Sequence, residues 1–170
     1  MTIPTIRLFI VAVFCGAALT ACSETTNPAP AEFIATDASF AGYAAWEKTT
    51  PERTGLDPAS FLSGGAHDGT DTTVIRNMFV NKSGATRGTG GQFDNGVVFL
   101  KETKNADGTI KQILAMTKRG NDFNKDNGNW EWFMVGTDGI IIDRGANLMG
   151  GMCNACHSGA KTTDFVFTRS

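Results

Sequence analysis

Between residues 72 and 143, β-branched, aliphatic and aromatic residues come in short runs separated by Asn, Asp and Gly. The runs are TTVIRNMFVN (72–81), GVVFLKETK (96–104), TIKQILAMTKR (109–119), NWEWFMVG (129–136) and IIID (140–143). NADG at 105–108 and TDG at 137–139 are tight-turn sequences between consecutive runs. Such composition favours strands over helices, and short polar turns join antiparallel neighbours. The expectation is an α+β domain, mainly antiparallel sheet with a few helices. Ahead of the strands, ASFAGYAAWEK (38–48) sets Phe40, Ala44 and Glu47 at helical spacing with Pro51 beyond, which predicts a helix. There is no internal repeat.

The front of the chain has a different pattern. Arg7 precedes the uncharged apolar run LFIVAVFCGAALTA (8–21), too short at 14 residues to span a bilayer core, which takes about 20. It reads as a signal segment, residues 1–21, ending in the lipobox-like LTAC, with Cys22 as the lipidated residue. SETTNPAPAE after it is polar and Pro-containing, so residues 22–36 read as a flexible tether. Residues 37–170 are left as one folded domain. The protein is therefore expected to face the periplasm, lipid-anchored to a bacterial membrane, with Ser23 favouring the outer one. Without the signal segment the chain has 14 basic and 17 acidic residues, a formal charge of −3. That balance gives no electrostatic basis for nucleic-acid binding.

Two loops imitate binding motifs. GATRGTGG (84–91) lacks the following Lys-Ser/Thr and the βαβ frame of a phosphate loop. DFNKDN (122–127) begins like a calcium loop, but its sixth position is Asn127 rather than Gly and its twelfth is Phe133 rather than Glu.

Chemistry concentrates near the C-terminus, in GGMCNACHSGA (150–160). Cys153, Cys156 and His157 have the spacing of covalent haem attachment. On a helix, positions i, i+3 and i+4 share a face, so two thioethers and one imidazole reach the same porphyrin. A zinc site needs four ligands, and the only other histidine is His67. A thioredoxin-like pair needs a βαβ context that this chain lacks. One haem c with His157 as iron ligand accounts for both cysteines left after Cys15 departs with the signal segment and Cys22 takes lipid. The helix that carries it closes the chain.

FDNGVVFLKE, GNWEWF, CNACH and TDFVFTR, in that order, resemble the cytochrome P-460 family and its relative cytochrome c′-beta; the likeness spans residues 72–169. The resemblance implies a mainly β domain with one c-type haem near its C-terminus, and symmetric homodimers. It places the lysine that some members bond to the haem ring at Lys101. Strand alternation puts Lys101 on one face with Val97 and Phe99, and both faces are partly apolar, so alternation leaves open which face meets the haem. It also places a distal arginine at Arg76, where the alternative is a strand-edge arginine in water. The position of the distal carboxylate of hydroxylamine-oxidising members falls on Leu114, which cannot accept a proton. A distal wall of Phe99, Leu114 and Met116 is closer to cytochrome c′-beta.

The resulting expectation is an exported mono-haem cytochrome with an open distal site for hydroxylamine or nitric oxide, Arg76 and Lys101 assisting, and a periplasmic electron-transfer partner. Its alternatives are a gas-binding protein without turnover and a six-coordinate electron carrier. In the last, His67 or a methionine is the sixth ligand; otherwise His67 is a solvated loop histidine.

Overall fold

The computed structural model describes residues 31–63 and 66–167. Cys22, the signal segment and most of the tether lie outside the described residues. Among the described residues six strands form: β1 (Glu47–Lys48), β2 (Ile75–Val80), β3 (Val98–Lys104), β4 (Ile110–Lys118), β5 (Trp130–Val135) and β6 (Ile141–Gly145). They form one antiparallel sheet in sequence order. Each of the five apolar runs becomes a strand, and the β3–β4 and β5–β6 reversals are made within a few residues. At NADG, for example, Asn105 N–H donates to the Thr109 carbonyl at 2.9 Å and Gly108 N–H returns to the Asn105 carbonyl. The α+β, mainly antiparallel architecture is thus observed.

The helix expected over residues 38–48 does not form. Two three-residue 3-10 turns, Asp37–Ser39 and Tyr43–Ala45, stand in its place, and the chain then enters β1. Gly42 between them has φ +70°, outside the right-handed helical region. Tertiary packing overrides the helical spacing here, since the aromatic residues are held one by one against the sheet. Phe40 is fully buried with its ring 5.1 Å from that of Phe133, and Tyr43 meets Phe79 edge-on at 5.5 Å.

Alternation splits the sheet into two apolar layers. One contains Phe79, Val98, Leu100, Ile113, Ala115 and Phe133, covered by Ala35 and Phe40 of the N-terminal segment. The other contains Val80, Phe99, Met116, Trp130 and Trp132, covered by Leu148, Phe165 and Val166, with Cys153 packed against them. The C-terminal segment therefore lies on the face that carries Phe99. Burying a large apolar side chain contributes about 1.5–3 kcal/mol, so both layers are substantial sources of stability.

A buried ion pair fixes that C-terminal segment. Lys118 Nζ donates to both carboxylate oxygens of Asp164, at 2.8 and 2.7 Å, with each side chain 2% exposed. Asp164 also accepts the Phe93 N–H at 2.8 Å, and its carbonyl accepts Trp130 Nε1–H at 2.8 Å. No helix among the described residues is long and apolar enough to cross a membrane.

Candidate functional site

Helix α2 (Met152–His157) holds the Cys-Asn-Ala-Cys-His sequence, with α1 being the short Ser60–Ser63 turn earlier in the chain. Entry into α2 needs an abrupt change of direction. Met149, Gly150 and Gly151 all have positive φ, at 53°, 66° and 86°, and the two glycines reach those values without a Cβ penalty. A Cβ on Gly151 would also lie 2.7 Å from Asn147 Oδ1. Beyond His157 the chain continues as 3-10 turn over Ser158–Thr163.

Asn154, between the cysteines, ties α2 to its surroundings. Its Oδ1 accepts Trp132 Nε1–H at 2.6 Å and Asn124 Nδ2–H at 3.0 Å, and its Nδ2 donates to the Ala146 carbonyl at 2.8 Å. Cys153, Cys156 and His157 are thereby turned into a cavity between the helix and the sheet, which all three line. Both thiols are free, and burial raises both above the ordinary thiol range.

His157 Nδ1 lies 2.7 Å from the Phe165 carbonyl. In the tautomer that donates this bond, Nε2 is left with a lone pair for a metal. The ring packs against Trp132 at 4.6 Å and Phe167 at 5.3 Å, so its plane is fixed as well as its proton. Burial pushes the imidazole below its ordinary pKa, with the Phe165 hydrogen bond opposing and the charge of Lys101 adding to the fall. Two free thiols able to form thioethers and one oriented imidazole able to donate to iron lie on one wall, as a c-type haem requires, and these residues fit the group.

The opposite wall is the sheet. Phe99, Leu114 and Met116 line the cavity together with Met78 and Trp132. Lys101 also lines it, on the face of Phe99, which resolves the ambiguity left by alternation. Lys101 and Leu114 are cross-strand partners in the β3–β4 register.

Arg76 has a different place from the one expected. It is neither a strand-edge residue in water nor part of the cavity lining. It is 1% exposed, and its guanidinium donates to four backbone carbonyls: Gly55, Asp68, Val74 at 3.2 Å and Asp71 at 2.8 Å. The arginine in the cavity wall is Arg53, 4.0 Å from Asp57.

Asp57 was not legible as a site residue. Among the described residues it is the only carboxylate lining the cavity, and Lys101 Nζ donates to it. Burial opposes its charge, but the hydrogen bond and charge of Lys101 outweigh this, and the carboxyl sits below its ordinary range. Lys101 is lowered too, by burial first, with Asp57 pulling the other way. The available signal was Asp57-Pro58, a turn-forming pair, whose Asp Oδ1 accepts the Ala59 N–H at 2.9 Å.

His67 also lines the cavity and is not a solvated loop histidine. Its Nδ1 is buried without a hydrogen-bond partner, and its ring centroid is 6.4 Å from that of His157. Desolvation, followed by the charges of Lys101 and His157, lowers its pKa to about 3, leaving it a neutral imidazole.

No curated protein matches the chain. The family model described as Cytochrome P460 matches residues 41–168, three-quarters of the sequence and all of the strands, the cavity and α2. With a meander sheet backing a C-terminal Cys-Asn-Ala-Cys-His helix, and this match over both, the chain belongs to the cytochrome P460 family and is a c-type haem protein.

Proposed function

We propose that this protein is an exported, lipid-anchored mono-haem cytochrome that binds or oxidises small nitrogen species, hydroxylamine or nitric oxide. The observation that carries the reading is the asymmetry of the cavity. One wall offers Cys153, Cys156 and His157, while the facing sheet offers the apolar Phe99, Leu114 and Met116 together with Lys101, which is paired with Asp57.

Haem held at His157, through thioethers from Cys153 and Cys156, would supply the redox chemistry. The chain's own residues set its conditions. Phe99, Leu114 and Met116 exclude water from the space facing the sheet, which favours a small, weakly polar ligand. The Phe165 carbonyl keeps the His157 ring proton on Nδ1 and raises the donor strength of Nε2. Lys101, paired with Asp57 in the cavity wall, would supply a cation beside the bound group. Asp57 is the group placed to accept a proton from a bound hydroxylamine, but Lys101 holds it. Proton transfer through it therefore requires that pair to open. The electron acceptor would be a periplasmic redox protein.

Attachment is tested by acid extraction of the denatured holoprotein. The haem is expected to stay with the polypeptide, and Cys153→Ala combined with Cys156→Ala is expected to release it. Free extraction from the unaltered protein would remove the central element of the proposal. Ligand binding is tested by titrating the reduced protein with nitric oxide and with carbon monoxide, where spectral change with either is the expected outcome.

A further inference from the structure

His67 is held in the cavity wall although its own Nδ1 finds no hydrogen-bond partner there. Its backbone is left-handed, at φ 57° and ψ 33°, and Asp68 follows at φ 52°. Two successive non-glycine residues in that region are costly, at order 1 kcal/mol or more each, and persist only where the surroundings impose them. Here the surroundings do impose them. Arg76 donates to the Asp68 carbonyl, Lys111 Nζ sits 3.0 Å from Asp68 Oδ1, and Thr103 Oγ1 donates to Asp68 Oδ2 at 3.4 Å. The result of this clamp is an imidazole in the cavity wall with an orphaned buried Nδ1.

The placement relative to His157 supplies a reason. Two imidazoles on opposite sides of one metal ion, each bonded at about 2 Å through a nitrogen about 1.1 Å from its ring centre, have centroids about 6 Å apart. The His67 and His157 centroids are 6.4 Å apart. Core pairs such as Phe99 and Trp130, at 6.1 Å and 55°, have similar geometry, so the spacing counts only together with the strained backbone and the orphaned Nδ1. The geometry points to His67 as a second, displaceable axial ligand of the haem iron, held opposite His157 by the Arg76–Asp68 clamp. The assignment rests on the reading that haem is bound at His157. It changes what the distal site does: a small ligand must displace an imidazole before it can bind. Met78 and Met116, which share the cavity, lie on the rigid strands β2 and β4, and neither has backbone held in a strained conformation by such a clamp.

The assignment also gives buried Arg76 a role at one remove from the haem. By holding four carbonyls on both sides of His67, it positions the imidazole and leaves the cavity to other side chains.

The test uses the full-length haem-loaded protein and reads spin state by optical absorption and electron paramagnetic resonance. The ferric protein is expected to be six-coordinate and low-spin, and His67→Ala to be high-spin, with free imidazole restoring the low-spin form. In the ferrous state, carbon monoxide association in the unaltered protein should level off at high ligand concentration, because His67 must leave first. In His67→Ala it should stay linear, and apparent affinity should rise by about tenfold if His67 is bonded nine-tenths of the time. His67→Gln, which preserves size and polarity, should behave like His67→Ala, which separates ligation from cavity filling. A high-spin unaltered protein that binds carbon monoxide linearly would overturn the His67 assignment and leave the ligand-binding function standing. A low-spin spectrum retained by both variants would overturn it too, in favour of another protein ligand. A low-spin protein made high-spin by both substitutions, yet indifferent to nitric oxide and carbon monoxide throughout, would uphold His67 and defeat the proposed function instead.

Discussion

Replacing Asp164 by Asn should destabilise the fold in a way that depends on pH, because it leaves the Lys118 ammonium buried beside an uncharged amide. In the native protein the two side chains are each 2% exposed and share two hydrogen bonds of 2.7–2.8 Å. Removing one member of a buried pair costs about 3–5 kcal/mol. Lysine has an escape, since it can fold neutral. Deprotonation at pH 7 costs about 4.6 kcal/mol, from an ordinary pKa of about 10.4 and 1.36 kcal/mol per unit. That figure caps the charge penalty, and the cap falls to about 2 kcal/mol at pH 9. Where the variant folds with neutral Lys118, the unfolded chain binds one more proton than the folded one, so stability rises with pH. Burial already lowers Lys118 in the native protein, against the pull of Asp164, which is the same tendency with the partner still present. The Trp130 ring, 5.1 Å from Nζ, offsets a little of the loss through cation–π attraction. Asn is the appropriate substitution because Asp164 has φ +54° and its carboxylate accepts the Phe93 N–H; Asn tolerates that backbone and retains one acceptor.

Urea unfolding of the haem-loaded protein, followed by circular dichroism at pH 7 and pH 9, measures the effect. With a slope of about 2 kcal/mol per molar, the midpoint should fall by roughly 1.5–2.3 M at pH 7 and by about half that at pH 9. Adding Lys118→Met should recover most of the loss at both pH values. A loss under about 1 kcal/mol at pH 7 would mean that the pair is not desolvated, and an equal loss at both pH values would mean that the ammonium is not its cause. The haem site should register the change as well, since the neighbouring Phe165 carbonyl orients His157.

Two further predictions concern the wall facing the haem. If Lys101 is bonded to the porphyrin, proteolysis should leave haem on two peptides, one containing VVFLKE and one CNACH, and Lys101→Leu should give an ordinary c-type absorption spectrum. Asp57→Asn removes the carboxylate that stabilises the Lys101 ammonium, so it should increase any such cross-link; a decrease would show that Asp57 activates the lysine. Native turnover of hydroxylamine is expected to be slow, because Asp57 is engaged by Lys101 and position 114 holds leucine. Leu114→Glu should raise the rate, by up to about 10²–10⁴-fold where the new carboxylate reaches the substrate. Fast native turnover unaffected by that change would refute the assignment of Leu114 to the distal wall.

What the sequence determined by itself is what short-range chemistry controls. Five strands follow from β-branched and aromatic runs and from turn residues such as Asn105–Gly108, because these preferences act within a few residues. The haem-binding set was legible for the same reason: Cys153, Cys156 and His157 fall on one face of a single helical turn. Tertiary structure decided how residues distant in sequence meet. Alternation paired Lys101 with Phe99 but could not say which face the C-terminal segment would cover; packing of Phe165 and Val166 on that face did so. The spacing of residues 38–48 suited a helix until Gly42 and the burial of Phe40 against Phe133 imposed two short turns. Arg76 could be placed on a strand but not assigned its partners, since its four carbonyls come from a segment up to 21 residues away. The same segment delivers Asp57 and His67 to the cavity; Asp57-Pro58 marks only a turn and His67 only a loop imidazole, because their positions come from bonds to Arg76, Lys101 and Lys111 on the sheet.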